Sequence, residues 1–212
     1  MYIPKHFEQA DINKMHELMH ANPLATLVTA GSEGLSANHI PLHLTEQAAP
    51  YGLLSGHLPR ANPLSQEAEN ELDAVAIFHG PHAYISPSWY ASQAETRKFV
   101  PTWNYTAVHV HGRIRFIDDA TWLRAHLDKF TMQLEAEQSR PWSMADAPAD
   151  FIEMLLPNLI GIEIVIDKLE GKWKVSQNRS IADRNSAASV LEKSSNSHAS
   201  AIAELMRREI LE

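Results

Sequence analysis

Four segments of this chain bring together residue types that do chemistry. Gly56-His57-Leu58-Pro59-Arg60-Ala61-Asn62-Pro63 holds a glycine, an imidazole, a guanidinium and an amide in one short stretch. Arg60 offers a planar fork of donors suited to a phosphate. Gly56 permits close backbone approach, and the amides of a helix start attract an anion. One reading is a monophosphate cradle. The other is an ordinary strand–turn–helix junction, with Asn62 as the cap that occupies those amides itself. In Asn38-His39-Ile40-Pro41-Leu42, Pro41 cannot donate to a ladder, so the strand is at an edge or bulged there. Peptide groups freed at that point suit the hydrogen-bonding edge of a ring. A proline that blunts a sheet edge against aggregation explains them equally well.

The richest stretch runs from Gly80 to Gly112. It carries Trp89 and Trp103, Tyr84, Tyr90 and Tyr105, and His82, His109 and His111. About twenty of its residues, between the β-like runs at Tyr84–Ile85 and Thr106–Val110, have no period, and loops of that length are functional or disordered. Disordered segments are poor in aromatics. The choice is between an ordered loop lining a site for a flat ligand and a cap folded back on the core. Lys172-Trp173-Lys174-Val175-Ser176-Gln177-Asn178-Arg179 is polar around one tryptophan; it is a clamp for an anionic or amide-bearing ligand, an interface, or a solvated connector. His109 and His111 share one face of a strand at a chelating spacing, but no third ligand or HExxH motif accompanies them, and no metal is expected.

The elements that must position these residues follow from periodicity and breakers. Asp11 caps a helix through His20, ended by Asn22-Pro23. Leu24–Ala30 and Leu35–Leu44 are strands joined by a Gly31–Gly34 hairpin. Tyr51–His57 is a third strand. Asn62-Pro63 opens a helix that ends near Asn70. Ala74–Phe78 reads as a buried strand, and Tyr105–Ile117 as a long one that turns Val108, Val110 and Ile114 away from His109, His111 and Arg113. Asp118 or Asp119 caps a helix carrying Trp122, Leu123, Leu127 and Phe130. A short helix spans Asp150–Leu156, and Leu159–Ile166 is a β-branched strand. Two short helices follow residue 180, with a weak linker at Ser194–Ser200. Six or seven antiparallel strands interrupted by helices make a mainly β chain with helices (α+β), a barrel with helical decoration rather than an alternating βαβ fold. The division expected is a barrel domain over 1–179 and a helical appendage over 180–212.

Composition narrows the classes. The chain has 212 residues, 44% hydrophobic, enough for a core, and a net charge of −8 with no basic cluster, so direct nucleic-acid binding is not expected. Without cysteine there are no disulfides and no thiolate chemistry. A long apolar run and a secretory leader pattern are both missing, and a cytoplasmic location is expected. GxGxxG, P-loop and GxSxG motifs are absent.

Taken in order, MYIPKHF, SANHIPL, GHLPRANP, GPHAYISPSWY, VPTWNYTAVHVHG and KWKVSQNR resemble the PaiB-like family, the FMN-binding negative transcriptional regulators. The resemblance spans most of the chain, least clearly at the C-terminal helices. It implies an FMN-binding split β-barrel, pyridoxamine-phosphate oxidase-like, that forms a homodimer with flavin at the interface. Carried over by segment, Arg60 and Asn62 come near the phosphate with help from His57. Asn38, His39 and Ile40 run along the isoalloxazine edge. Tyr84, Ser86 and Trp89 lie near the ring or ribityl chain. Trp103 and Asn104 close the site, and Lys174, Gln177 and Asn178 supply polar or interface contacts. The family leads one to expect a bulky residue soon after RANP, where Leu64-Ser65 stands. It also implies a flavin-dependent oxidoreductase or a flavin-linked regulator of transcription. The alternatives are a haem-binding split barrel and a regulator acting through protein partners.

Overall fold

The computed structural model describes residues 1–32, 34–67 and 71–208. Its strands are β1 (Glu8–Gln9), β2 (Leu24–Gly31), β3 (Gly34–Pro41), β4 (His43–Thr45), β5 (Leu53–Pro59), β6 (Leu72–Ile85), β7 (Thr102–Ile117) and β8 (Leu159–Lys174). Its α-helices are α1 (Ile12–Ala21), α2 (Gln93–Thr96), α3 (Ala120–Glu135), α4 (Ala149–Leu155), α5 (Ile181–Leu191) and α6 (Ser197–Arg208). The sheet order is β3-β2-β6-β7-β8-β5-β4, with β1 beside β8. Among the described residues no helix is long and apolar enough to cross a membrane.

Local chemistry explains where the elements differ from the sequence expectation. The strand expected over Leu35–Leu44 is two strands, because Pro41 breaks the ladder and the Leu42 amide donates to Pro23 O at 2.9 Å. The third strand begins only at Leu53, after Gly52 takes a positive φ of 99°, a conformation open to glycine. Behind Asn62 stands a 3-10 segment, Pro63–Glu67, in place of an α-helix; its expected end near Asn70 lies outside the described residues. Ala74–Phe78 lies within a fourteen-residue strand whose burial alternates, so this run is two-faced rather than uniformly buried. Position 80 in that strand takes glycine because a Cβ there would come 2.2 Å from Thr106 Oγ1. Both long strands extend past expectation: β7 starts at Thr102, and β8 runs on through Lys172, Trp173 and Lys174. The unpatterned loop folds into a 3-10 turn, Pro87–Trp89, followed by α2.

The chain forms two compact units. The first comprises 1–18, 79–109 and the chain from 170 onward. Its core joins Ala83, Ile85 and Tyr90 to Val175 and to the small or apolar faces of α5 and α6, through Ala187, Ala188, Leu191, Ile202 and Met206. The second comprises 19–78 and 110–169. There, β2 and β3 form an antiparallel hairpin in the register Thr26↔His39 and Leu27↔Asn38, and β5 pairs with β8 from Leu53↔Val165 to Pro59↔Leu159. Asp119 caps α3 by accepting from the Thr121 and Trp122 amides. Trp122 lies against Gly161, where a Cβ would come 2.3 Å from the indole, and Leu123 packs with Met144, Ile152 and Leu156 beneath α4.

Candidate functional site

The residues singled out from the sequence gather in two clusters, one in each unit. The first unit contains an aromatic groove. Tyr84 projects from β6, with Trp89 in the adjoining 3-10 turn and Trp103 on β7. The Tyr84 ring meets Trp89 at 6.1 Å and 80°, and Trp103 at 6.1 Å and 71°. These edge-to-face pairs leave ring surface free, since Trp103 is 54% exposed and Tyr84 42%. The groove they line has a volume of about 440 Å³ and is bounded on its other side by Lys193 and Asn196. That volume is within the range of small-molecule sites, roughly 300–1,000 Å³. His82 lies against His198, the rings tilted by 41° at a centroid distance of 4.4 Å, and approaches Trp103. Sequence reasoning missed His198, Lys193 and Asn196, because only tertiary packing brings the α5–α6 connection to β6.

The polar residues around this groove hold the backbone that carries it. Ser86 caps the Trp89 turn, with its Oγ accepting from the Ser88 amide at 3.3 Å. Asn104 is buried and donates to Ser176 Oγ at 3.0 Å, next to the positive φ of 66° at Ser176. Gln177 donates to Trp173 O at 2.5 Å and accepts from the Val175 amide at 2.8 Å. Lys174 donates to Thr102 Oγ1 and Trp103 O, both at 2.5 Å. Burial, with the nearby charges of Lys172 and Arg179, lowers its pKa. Asn178 is exposed. Asp183, at the start of α5, accepts from the Ser92 amide and hydroxyl, both at 2.9 Å, and from Ser180 at 2.8 Å. Burial pushes its pKa up, but these hydrogen bonds and Arg179 outweigh that and lower it.

The second unit contains a polar corner. β3 is the first strand of the sheet order, with β2 its one neighbour there. Asn38 Oδ1 accepts from Asn62 Nδ2 at 2.9 Å, and Asn62 Oδ1 accepts from the Leu64 amide at 3.0 Å. Asn62 is thus the cap of its own turn. Leu64 itself is buried. His39 is exposed and bonded to Thr26 Oγ1 at 3.2 Å, whereas Ile40 points inward. Arg60 donates to both carboxylate oxygens of Asp118, at 2.9 and 2.6 Å, and to the carbonyls of Pro157 and Leu159, each at 3.0 Å. Its hydrogen bond to Asp118 raises the arginine pKa and lowers that of the carboxyl. His57 does not accompany Arg60; its Nδ1 lies 3.3 Å from His126 Nε2 on α3.

Residues 1–168 match the family described as "Putative FMN-binding domain". The chain belongs to this PaiB-like FMN-binding family. The protease synthase and sporulation protein PAI 2 of Bacillus subtilis is 32% identical over 97% of this chain and 96% of its own length. An uncharacterized protein of Emericella nidulans is 32% identical over 98% and 96%. Among solved structures, the FAD and heme binding protein of Mycobacterium smegmatis superposes with a TM-score of 0.56 at 16% identity, over 79% of this chain and 73% of that one. The flavocytochrome Anf3 of Azotobacter vinelandii gives 0.55 at 18%, over 81% and 72%. These two likenesses show the fold, a split barrel. FMN is the cofactor of this PaiB-like chain.

The two clusters fit FMN unequally. A flat tricyclic ring matches the exposed faces of Tyr84 and Trp103, beside the half-buried Trp89, in a groove of sufficient volume. A phosphate needs donors, and the strongest donor of the corner, Arg60, is already engaged with Asp118. That pair is a surface one, with side chains 40% and 70% exposed, and such pairs contribute only about 0–1 kcal/mol. A phosphate dianion can take the place of the Asp118 carboxylate.

Proposed function

We propose that this PaiB-like protein is a cytoplasmic FMN-dependent oxidoreductase acting on a small planar substrate, as a homodimer with flavin at the interface. The observation that carries the reading is the groove lined by Tyr84, Trp89 and Trp103, in which Tyr84 and Trp103 keep exposed ring faces while Trp89 is half-buried against the core of the unit. Bound FMN supplies hydride or single-electron transfer. The protein's own residues bind and orient. Trp103, Tyr84 and Trp89 flank the ring and exclude water from it. Lys174 fixes Trp103 through its carbonyl, and Ser86 fixes the turn that bears Trp89. Arg60 and Asn62 receive the phosphate, and Asn38 and the β3 edge bond the polar rim of the ring.

The test is a flavin titration read by absorbance and fluorescence quenching, on samples sized by sedimentation. Saturable binding in the dimer, lost on dilution to monomer, is expected. A flavin-loaded monomer overturns the interface. Anaerobic mixing with reduced nicotinamides and a panel of quinones and nitroaromatics then tests turnover. Failure of the bound flavin to exchange electrons with any of them turns the reading to its second form, a flavin-sensing regulator. The name of the Bacillus subtilis relative, a sporulation protein, favours that form. With a net charge of −8, such regulation would run through protein partners rather than DNA. Haem is not proposed: the haem-binding structures that share the fold are under 20% identical.

A further inference from the structure

The groove of the first unit has a second wall, and its chemistry is unlike that of the aromatic one. It is made by the connection between α5 and α6, where Lys193, Ser194 and Asn196 line the groove beside the buried Leu191 and Ala199. On the reading of this groove as the site of flavin and substrate, we propose that the second wall binds the carboxylate of a planar aromatic substrate. The groups that hold it are the Lys193 ammonium, the Asn196 side-chain amide and the Ser194 hydroxyl.

The acceptor atoms of this wall are already engaged. Asn196 Oδ1 accepts from the His198 amide at 2.9 Å, and Ser194 Oγ accepts from the Asn196 amide at 3.2 Å. What these side chains still offer a ligand is donors: the two hydrogens of Asn196 Nδ2 and the hydroxyl hydrogen of Ser194. Lys193 adds an ammonium with three donors and no acceptor. The same local bonds that start α6 therefore turn the connection into a donor surface.

Charge points the same way. Acidic residues outnumber lysine and arginine in this chain by 26 to 18, yet among the described residues no Asp or Glu lines the groove. The one carboxylate adjacent to Lys193 in the chain, Glu192, is taken by Arg207, whose Nε and Nη2 donate to its two oxygens at 2.6 and 3.0 Å. The other basic side chain of the lining is His82.

A neutral flat molecule is served by the exposed faces of Tyr84 and Trp103 alone. A wall of donors carrying an ammonium adds selection for an anion. A carboxylate conjugated to an aromatic ring is coplanar with it, so such a substrate stays flat, whereas a phosphate or sulfonate does not. Lys193 is exposed, and its contribution is that of an exposed ion pair, at most about fivefold in affinity.

The test uses two flat probes that differ in charge, para-nitrobenzoate and para-nitrobenzamide, titrated by calorimetry into oxidised, FMN-loaded protein. The carboxylate should bind about fivefold more tightly than the amide. Lys193→Met should abolish that preference by weakening the carboxylate alone, and Lys193→Glu should reverse it. Lys5→Met, an exposed lysine outside the groove, should leave it unchanged. Equal affinity for the two probes in the parent, or a preference that survives Lys193→Met, overturns the proposal. The ratio of FMN to riboflavin affinity should be the same in Lys193→Met as in the parent; a fall in that ratio assigns the donors to the flavin's own phosphate and also overturns the carboxylate site. Failure to retain FMN sinks the flavin reading of the groove separately. The same probes titrated into flavin-free protein, followed by tryptophan fluorescence, then decide the anion site: a preference that depends on Lys193 supports it, and no preference overturns it.

Discussion

The aromatic groove of the first unit and the polar corner of the second are built on opposite plans. Behind the groove the polar side chains are closed on one another and on backbone, and the faces of Tyr84 and Trp103 are left open. Asn104, Lys174 and Gln177 all act this way, as braces behind Trp103 and the turn after β8. In the corner the functional group with the most chemistry, the Arg60 guanidinium, is itself closed, on Asp118 and two carbonyls. On the proposed reading the groove takes the ring as it stands, whereas the corner takes the phosphate only by exchanging one anion for another. Residue type alone does not distinguish an available donor from an engaged one.

The largest expected effect comes from loosening the groove's support. Asp183→Ala leaves the Ser92 amide without its acceptor and detaches α5 from the loop bearing Trp89. A lost buried partner costs about 1–3 kcal/mol, so thermal unfolding at neutral pH should fall by several degrees and FMN and riboflavin should both bind less well. The pH dependence follows from the lowered carboxyl pKa. The stabilisation is present above the ordinary carboxylate value of 3.8 and is lost as pH falls through the lower folded value. Parent and variant should therefore converge in stability in acid. A gap that persists there would mean that Asp183 acts through packing.

Next in size, Trp103→Ala should weaken FMN and riboflavin alike, by about 1–3 kcal/mol, the usual worth of one stacked aromatic, as read by fluorescence titration. Arg60→Ala should weaken FMN by about 1.5–3 kcal/mol, the worth of a charged hydrogen bond, and riboflavin hardly at all. The smallest effect sharpens the comparison most. Asp118→Ala frees the Arg60 fork and should tighten FMN by up to about 1 kcal/mol, the ceiling for a surface ion pair, leaving riboflavin unchanged. Weaker FMN binding in Asp118→Ala would make Arg60 a brace between β5 and the segment before β8.

Much of the frame was legible because it depends on neighbours in sequence. The β2–β3 hairpin, the break at Pro41, the Asp119 cap of α3 and the alternating faces of β7 all follow from short-range chemistry. Element lengths were not legible where tertiary pairing extends them, as at the ends of β6 and β8. α5 was readable as a helix, but not its depth, because Ala187 and Ala188 are small enough to sit buried without a marked apolar stripe. The aromatic trio could be named from the sequence, since its residue types are conspicuous. The engagement of Arg60 could not be foreseen, because Asp118 lies 58 positions away. His57, placed near Arg60 by its motif, turns toward His126, 69 positions on. Long-range partners of polar groups are set by the fold, and residue type carries no record of them.

The central claim is that one cofactor is held by two chemically different clusters, ring by the groove and phosphate by the corner. Its most direct test is the ratio of FMN to riboflavin affinity in flavin-free protein, measured for the parent, Arg60→Ala and Trp103→Ala. The account predicts that Arg60→Ala collapses the ratio toward one while Trp103→Ala lowers both affinities and leaves the ratio intact. A ratio unchanged by Arg60→Ala, or collapsed by Trp103→Ala, would contradict it.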